Sequence, residues 1–202
     1  MSPVDRARIE AAVSEILAAI GEDPGRPGLA GTPRSVAEAY AEFFAGVGRD
    51  ARAHLSDQVA AGEAAGELIL LRDLDLRSVC EHHLLPFLGT AHIAYVPRER
   101  IVGLGRLARV LDTVAARPQL QERLTEEVAE AISEGLDALG VLVVVDAVHG
   151  CVTARAGRQS RSSTVTVAAR GVLAEPARRA EAIALIGGTT VSAAAHGADS
   201  TE

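Results

Sequence analysis

Near the start of the chain, Val4, Ile9, Val13, Ile16, Leu17 and Ile20 recur at helical spacing and predict a first helix. Ser2-Pro3 reads as its N-cap with proline in the first turn, and Gly21 as its stop. Residues 22–31, rich in Gly and Pro, predict a loop; Thr32-Pro33 opens a second helix over 32–45. From Glu67 the pattern shortens to β-like runs. Residues 68–76 and 88–96 predict two antiparallel strands, with 80–86 on the connection. Helices follow over 105–116 and 119–139, divided near Pro118 and closed by Gly140. The apolar, β-branched run 141–149 predicts a strand, and so does Ser-Thr-Val-Thr-Val-Ala-Ala over 163–169. A short helix over 176–185 comes last. The order is two helices and then β-β-α-α-β-β, an α+β arrangement without a solenoid repeat. It divides the chain into a helical extension (1–50), one main unit (51–186) and a small, polar, disordered tail (187–202).

A length of 202 residues suits one full-sized domain. The hydrophobic fraction is 48% with only five aromatic residues, so the core must be built from Ala, Val, Leu and Ile. A formal charge of −7 argues against a general binder of nucleic acid or anionic membranes, yet leaves room for a local arginine cluster around one phosphorylated small molecule. No run approaches the ~18 apolar residues of a membrane span. The first residues lack the basic-then-apolar layout of a secretory signal, which predicts the cytoplasm.

The chemistry concentrates around the two cysteines. In Cys80-Glu81-His82-His83, a thiolate and an imidazole can reach one metal ion from a single tight connection. His149-Gly150-Cys151 ends the predicted strand, where residues two apart share a face, so this His and Cys would enter one site together. Cys80, His83 and Cys151 make three ligands, the number of catalytic zinc sites, whereas structural sites close with four. His82 and His149 are then left beside the metal, with an unperturbed pKa suited to proton transfer. By counts alone, two ordinary core cysteines stand as an equal alternative, spacing makes zinc plausible and no more, and His92 reads as a hydrogen-bonded strand residue.

Ser78-Val-Cys-Glu-His-His-Leu-Leu-Pro-Phe87, followed by His92-Ile-Ala-Tyr-Val-Pro97, resembles the zinc-binding signature of GTP cyclohydrolase I. Gly103-Leu-Gly-Arg-Leu-Ala-Arg-Val110 and Gln121-Glu-Arg-Leu-Thr125 resemble further blocks of that family, in unchanged order. The resemblance implies a tunnelling (T-fold) β-β-α-α-β-β unit, with sheets joined side by side into a ring and two pentamers stacked into a homodecamer. It implies Zn2+ on Cys80, His83 and Cys151, with His82 and His149 transferring protons. The implied reaction converts GTP and water to 7,8-dihydroneopterin triphosphate and formate, the first step toward tetrahydrofolate, as zinc-bound water attacks guanine C8. Glu122 matches the guanine-reading carboxylate, and Gln121 is assigned to the same pocket. Arg106 and Arg109, three residues apart on one helix face, and Arg155 are the candidate cations for the triphosphate, to which arginine's fork is suited.

Departures from the family gather at the phosphate end. Gly105-Arg106 stands where Ser-Lys is usual, Ser35 where an arginine is usual, and Arg155-Ala156 where Arg-Gly is usual. They predict GTP bound through rearranged arginines, with a paralogue serving a specialised pterin or deazapurine pathway as the alternative; a purine- or pterin-binding regulator without turnover is the rival from another class.

Overall fold

The computed structural model describes residues 4–154, 159 and 161–187. Helix α1 (Arg6–Ala19) is capped by Asp5, whose carboxylate accepts from the Arg8 N–H at 3.1 Å; Ser2 and Pro3 lie outside the described residues. Helix α2 (Thr32–Phe43) carries proline in its first turn and packs mainly on α1. A 3-10 turn, Ala51–Leu55, leads to strand β1 (Gln58–Ala60). Then come β2 (Ile69–Cys80), β3 (Pro86–Val96), β4 (Arg100–Val102), α3 (Leu104–Ala115), β5 (Pro118–Gln119) and α4 (Gln121–Leu136). The chain continues through β6 (Gly140–His149), a short α5 (Gly150–Thr153), β7 (Thr164–Gly171) and α6 (Pro176–Gly187). The β-β-α-α-β-β order holds, with four additions too short to show a period: β1, β4, β5 and α5.

The main sheet runs β5-β2-β3-β6-β7, antiparallel except where β5 pairs in parallel with the end of β2. The small strands β1 and β4 pair separately. Alternation along β6 explains the layering. Val141, Val143, Val145 and Ala147 join one core with Leu107, Val110, Leu111 and Val114 of α3 and Leu124, Val128 and Ile132 of α4. Leu142 and Val144 face the other way, into a smaller cluster with Leu173 and Ala182. Both faces of β6 are therefore apolar at its Gly140 end, as its unbroken apolar run Val141 to Val145 requires. Toward His149 the second cover stops, and Asp146 and Val148 are exposed.

Three local readings change. The strand predicted over 68–76 runs on to Cys80, so the connection shrinks to five residues. The helix predicted over 119–139 begins only at Gln121, because Gln119 is extended and its carbonyl accepts from the Glu81 N–H at 3.0 Å. That helix ends at Leu136, where Asp137 takes the left-handed conformation (φ 46°) that Asp tolerates better than most residues.

Candidate metal centre and its proton-handling residues

The connection between β2 and β3 is built to turn one thiol and one imidazole toward each other. The Cys80 N–H donates to the Leu85 carbonyl at 2.9 Å, closing the hairpin, and the Leu84 N–H donates back to the Cys80 carbonyl at 2.9 Å. Leu84 sits at φ 51°, which lets five residues reverse the chain. Cys80 is buried at the strand's end, while His82 and His83 are exposed, their rings nearly perpendicular (88°) at a centroid separation of 6.3 Å. A backbone bond from Glu81 to β5 pins the loop. An ion pair from the Glu81 carboxylate to Arg123 reinforces it, and Arg123 Nε also donates to Gln119 Oε1 at 2.9 Å. Glu81, without a role in the sequence reading, thus clamps the loop to α4.

The second half of the site comes from β6. His149 is its last residue, but Cys151 lies on α5 and not on the strand. The shared-face argument for this pair fails: a helical turn starting at Gly150 carries Cys151, and Thr153 Oγ1 donates to the His149 carbonyl at 3.1 Å. The outcome for the metal is nonetheless convergence. One ligand atom each from Cys80, His83 and Cys151 lies within 4.8 Å of the others. Ligand atoms on a zinc tetrahedron stand about 3.6–3.8 Å apart, so roughly 1 Å of adjustment suffices. Two thiols and one imidazole are a borderline-soft set that zinc accepts.

His149 is held from two sides. Its ring stacks on Phe87, its partner in the β3–β6 register, with centroids 4.7 Å apart and planes 12° from parallel. Its Nε2 lies 2.7 Å from Gln121 Oε1. Burial draws its pKa below the usual histidine value, while the neighbouring Glu122 carboxylate pulls the other way. The net direction favours the uncharged ring.

The first turn of α4 thus organises the site through three consecutive residues. Gln121 is buried against His149, Glu122 is exposed beside it, and Arg123 clamps Glu81. Gln121 Nε2 donates to the carbonyls of Thr164 (2.8 Å) and Val145 (3.1 Å), so its amide is engaged by the protein at both ends. The arginines are less concentrated. Arg106 pairs with Asp57 at 3.0 Å, Arg109 is exposed without an ion pair among the described residues, and Arg155 lies outside the described residues. Phe87 and the Glu81–Arg123 clamp went unread in the sequence. The signal for Gln121 was available: it begins the stripe Gln121, Leu124, Thr125, Val128, Ala129, Ile132, which makes it a polar residue in a core phase.

A family model described as GTP cyclohydrolase I matches residues 9–187. The protein called GTP cyclohydrolase 1 in Leifsonia xyli subsp. xyli is 64% identical over 187 residues, covering 93% of this chain and 98% of its own length. Its namesake in Carboxydothermus hydrogenoformans is 52% identical over 186 residues, covering 91% and 96%. Among solved structures, the apo form of the archaeosine synthase QueF-Like overlaps 52% of this chain and 93% of its own at 19% identity and a TM-score of 0.42, too distant to bear on function.

Proposed function

This chain belongs to the GTP cyclohydrolase I family, and from that premise we propose that it is a zinc-dependent hydrolase converting GTP and water to 7,8-dihydroneopterin triphosphate and formate. The observation that carries the reading is the meeting of Cys80, His83 and Cys151 beside a histidine already stacked and hydrogen-bonded. Bound to those three residues, zinc supplies Lewis-acid activation of water for hydrolytic opening of the guanine imidazole ring. His149 accepts and returns protons as the ring opens and the ribose rearranges, and exposed His82, next to His83, serves the same traffic. Glu122 accepts two hydrogen bonds from the ring N–H and exocyclic amine of guanine, a pair that adenine does not offer.

The triphosphate reading extends the site beyond one copy. The Ala115 carbonyl accepts from Ser78 Oγ at 2.7 Å, so α3 ends beside the Cys80 end of β2. At 1.5 Å per residue, Arg106 lies about 14 Å back along that helix and Arg109 about 9 Å. That separation favours arginines contributed by a neighbouring copy, as a homodecamer of two stacked pentamers with sites at subunit boundaries provides. No helix among the described residues is long and apolar enough to cross a membrane, in keeping with a cytoplasmic enzyme.

Formate release from GTP, GDP and GMP by zinc-loaded protein tests the proposal. GTP should show the highest catalytic efficiency. Release that favours GMP would point to a paralogue with another phosphorylation preference, and no release from any of the three would leave a nucleotide-binding regulator.

A further inference from the structure

Amide oxygen and nitrogen look alike in shape, but the surroundings of Gln121 distinguish them by chemistry. One end of the amide faces the carbonyls of Thr164 at 2.8 Å and Val145 at 3.1 Å, groups that only accept hydrogen bonds. That end must be the NH2. A hydroxyl cycle reinforces the assignment: Nε2 lies 3.2 Å from Thr166 Oγ1, which is 2.6 Å from Thr125 Oγ1, which in turn donates to the Gln121 carbonyl at 2.7 Å. The other end is therefore the oxygen, and it can only accept. His149 Nε2, 2.7 Å away, must carry a hydrogen.

We propose that Gln121 is a positioning residue whose side-chain oxygen holds His149 Nε2–H, so that Nδ1 is the ring nitrogen left to exchange protons with the substrate. Stacking on Phe87 sets the plane of the imidazole, and the Gln121 oxygen sets its rotation within that plane. Because an amide oxygen does not take up a proton under these conditions, the Nε2 hydrogen stays in place throughout. A proton taken from the substrate side forms a bond to the Nδ1 lone pair, giving a ring with hydrogen on both nitrogens. Its return breaks the same bond and restores the starting tautomer. Nδ1 makes no hydrogen bond among the described residues. Gln121 is separated by this role from its neighbour Glu122: the first orients a catalytic side chain, and the second meets the base of the nucleotide.

The role of the tautomer in turnover rests on the hydrolase reading above, but the tautomer itself can be observed without turnover. Solid-state NMR of sedimented full-length protein with ring-15N histidine, at about pH 8 and so above the usual histidine range near 6.5, reports which nitrogen is protonated. The His149 signals are assigned by their loss in His149→Asn. The expected spectrum has protonated Nε2 and bare Nδ1, and a protonated Nδ1 in the parent overturns the proposal whether or not the protein hydrolyses GTP. In Gln121→Leu, kcat should fall about 100-fold, within the range of a positioned acid–base group. KM for GTP should stay within about threefold, because the Gln121 amide is buried and engaged at both ends by the protein. Zinc content should be unchanged. A raised KM with kcat intact would make Gln121 a nucleotide contact and refute the positioning role. If the variant fails to fold, the parent spectrum still decides.

Discussion

A single methyl group added between His149 and Cys151 should disable the proposed metal site without unfolding the protein. In Gly150→Ala, the new Cβ would lie 2.8 Å from the Pro86 carbonyl oxygen, where ordinary contact begins at 3.4 Å. The obstacle is backbone and cannot swing aside. The first residue of β3 and the first turn of α5 must therefore separate by about 0.6 Å, an overpacking that costs roughly 1–3 kcal/mol. A domain of ordinary stability, about 5–15 kcal/mol, survives that loss. The site does not, because Cys151 rides on α5 while Cys80 and His83 are tied to the start of β3. Metal–ligand distances must finish within about 0.2 Å of ideal, so the forced separation adds to the roughly 1 Å that the ligands already have to close. Zinc affinity should therefore weaken about 10- to 100-fold, as it does when the support of a ligand is lost. Competition with a chromophoric chelator reads the affinity, and calorimetry confirms folding. Gly31→Ala is the control, since nothing lies within 4 Å of its added methyl. If Gly150→Ala bound zinc within twofold of the parent and turned over GTP normally, the close approach of α5 to β3 would not be what sets the ligand geometry.

Removal of individual groups should separate their roles. His83→Ala should lose zinc and all turnover, whereas His149→Ala should keep zinc and lose about 10²–10⁴ in kcat; metal analysis beside steady-state kinetics checks both, and full turnover by His83→Ala would remove it from the ligand set. Glu122→Ala should weaken GTP binding about ten- to hundredfold by leaving guanine donors unpaired, and unchanged affinity in calorimetric titration would end its base-reading role. His92 Nδ1 accepts from the Asp73 N–H at 3.1 Å, and burial lowers the ring's pKa, with Asp73 and Asp146 opposing and Arg72 assisting. A depressed histidine contributes stability above its unfolded value near 6.5 and loses it as pH falls below that value. The melting temperature of His92→Gln should therefore drop less than the parent's between about pH 7.5 and 5.5, and an identical drop would assign the acid sensitivity elsewhere.

The parts of the fold visible in the sequence are those with a repeated pattern. The valine run of β6 and the amphipathic stripes of α3 and α4 are long enough for their period to show, and each appears within a few residues of its predicted place. Strand β5 has two residues and α5 has four, too few for any period, so the local path of Cys151 was misread although its destination was not. Cys80 and His83 could be grouped from spacing because a hairpin closes over them locally. The Glu81–Arg123 clamp joins residues 42 apart and becomes visible only once α4 is packed beside the metal loop. Gln121 occupied a core phase of α4, but a periodicity says only that a side chain is buried, not that its amide meets two carbonyls and an imidazole.

Zinc-dependent product formation from GTP tests the central claim most directly. Protein stripped of metal, then reloaded with zinc, should yield equal amounts of formate and 7,8-dihydroneopterin triphosphate by mass spectrometry, with neither product from the stripped sample. Equal yields with and without metal, or a reloaded protein that releases no formate from GTP, would contradict it.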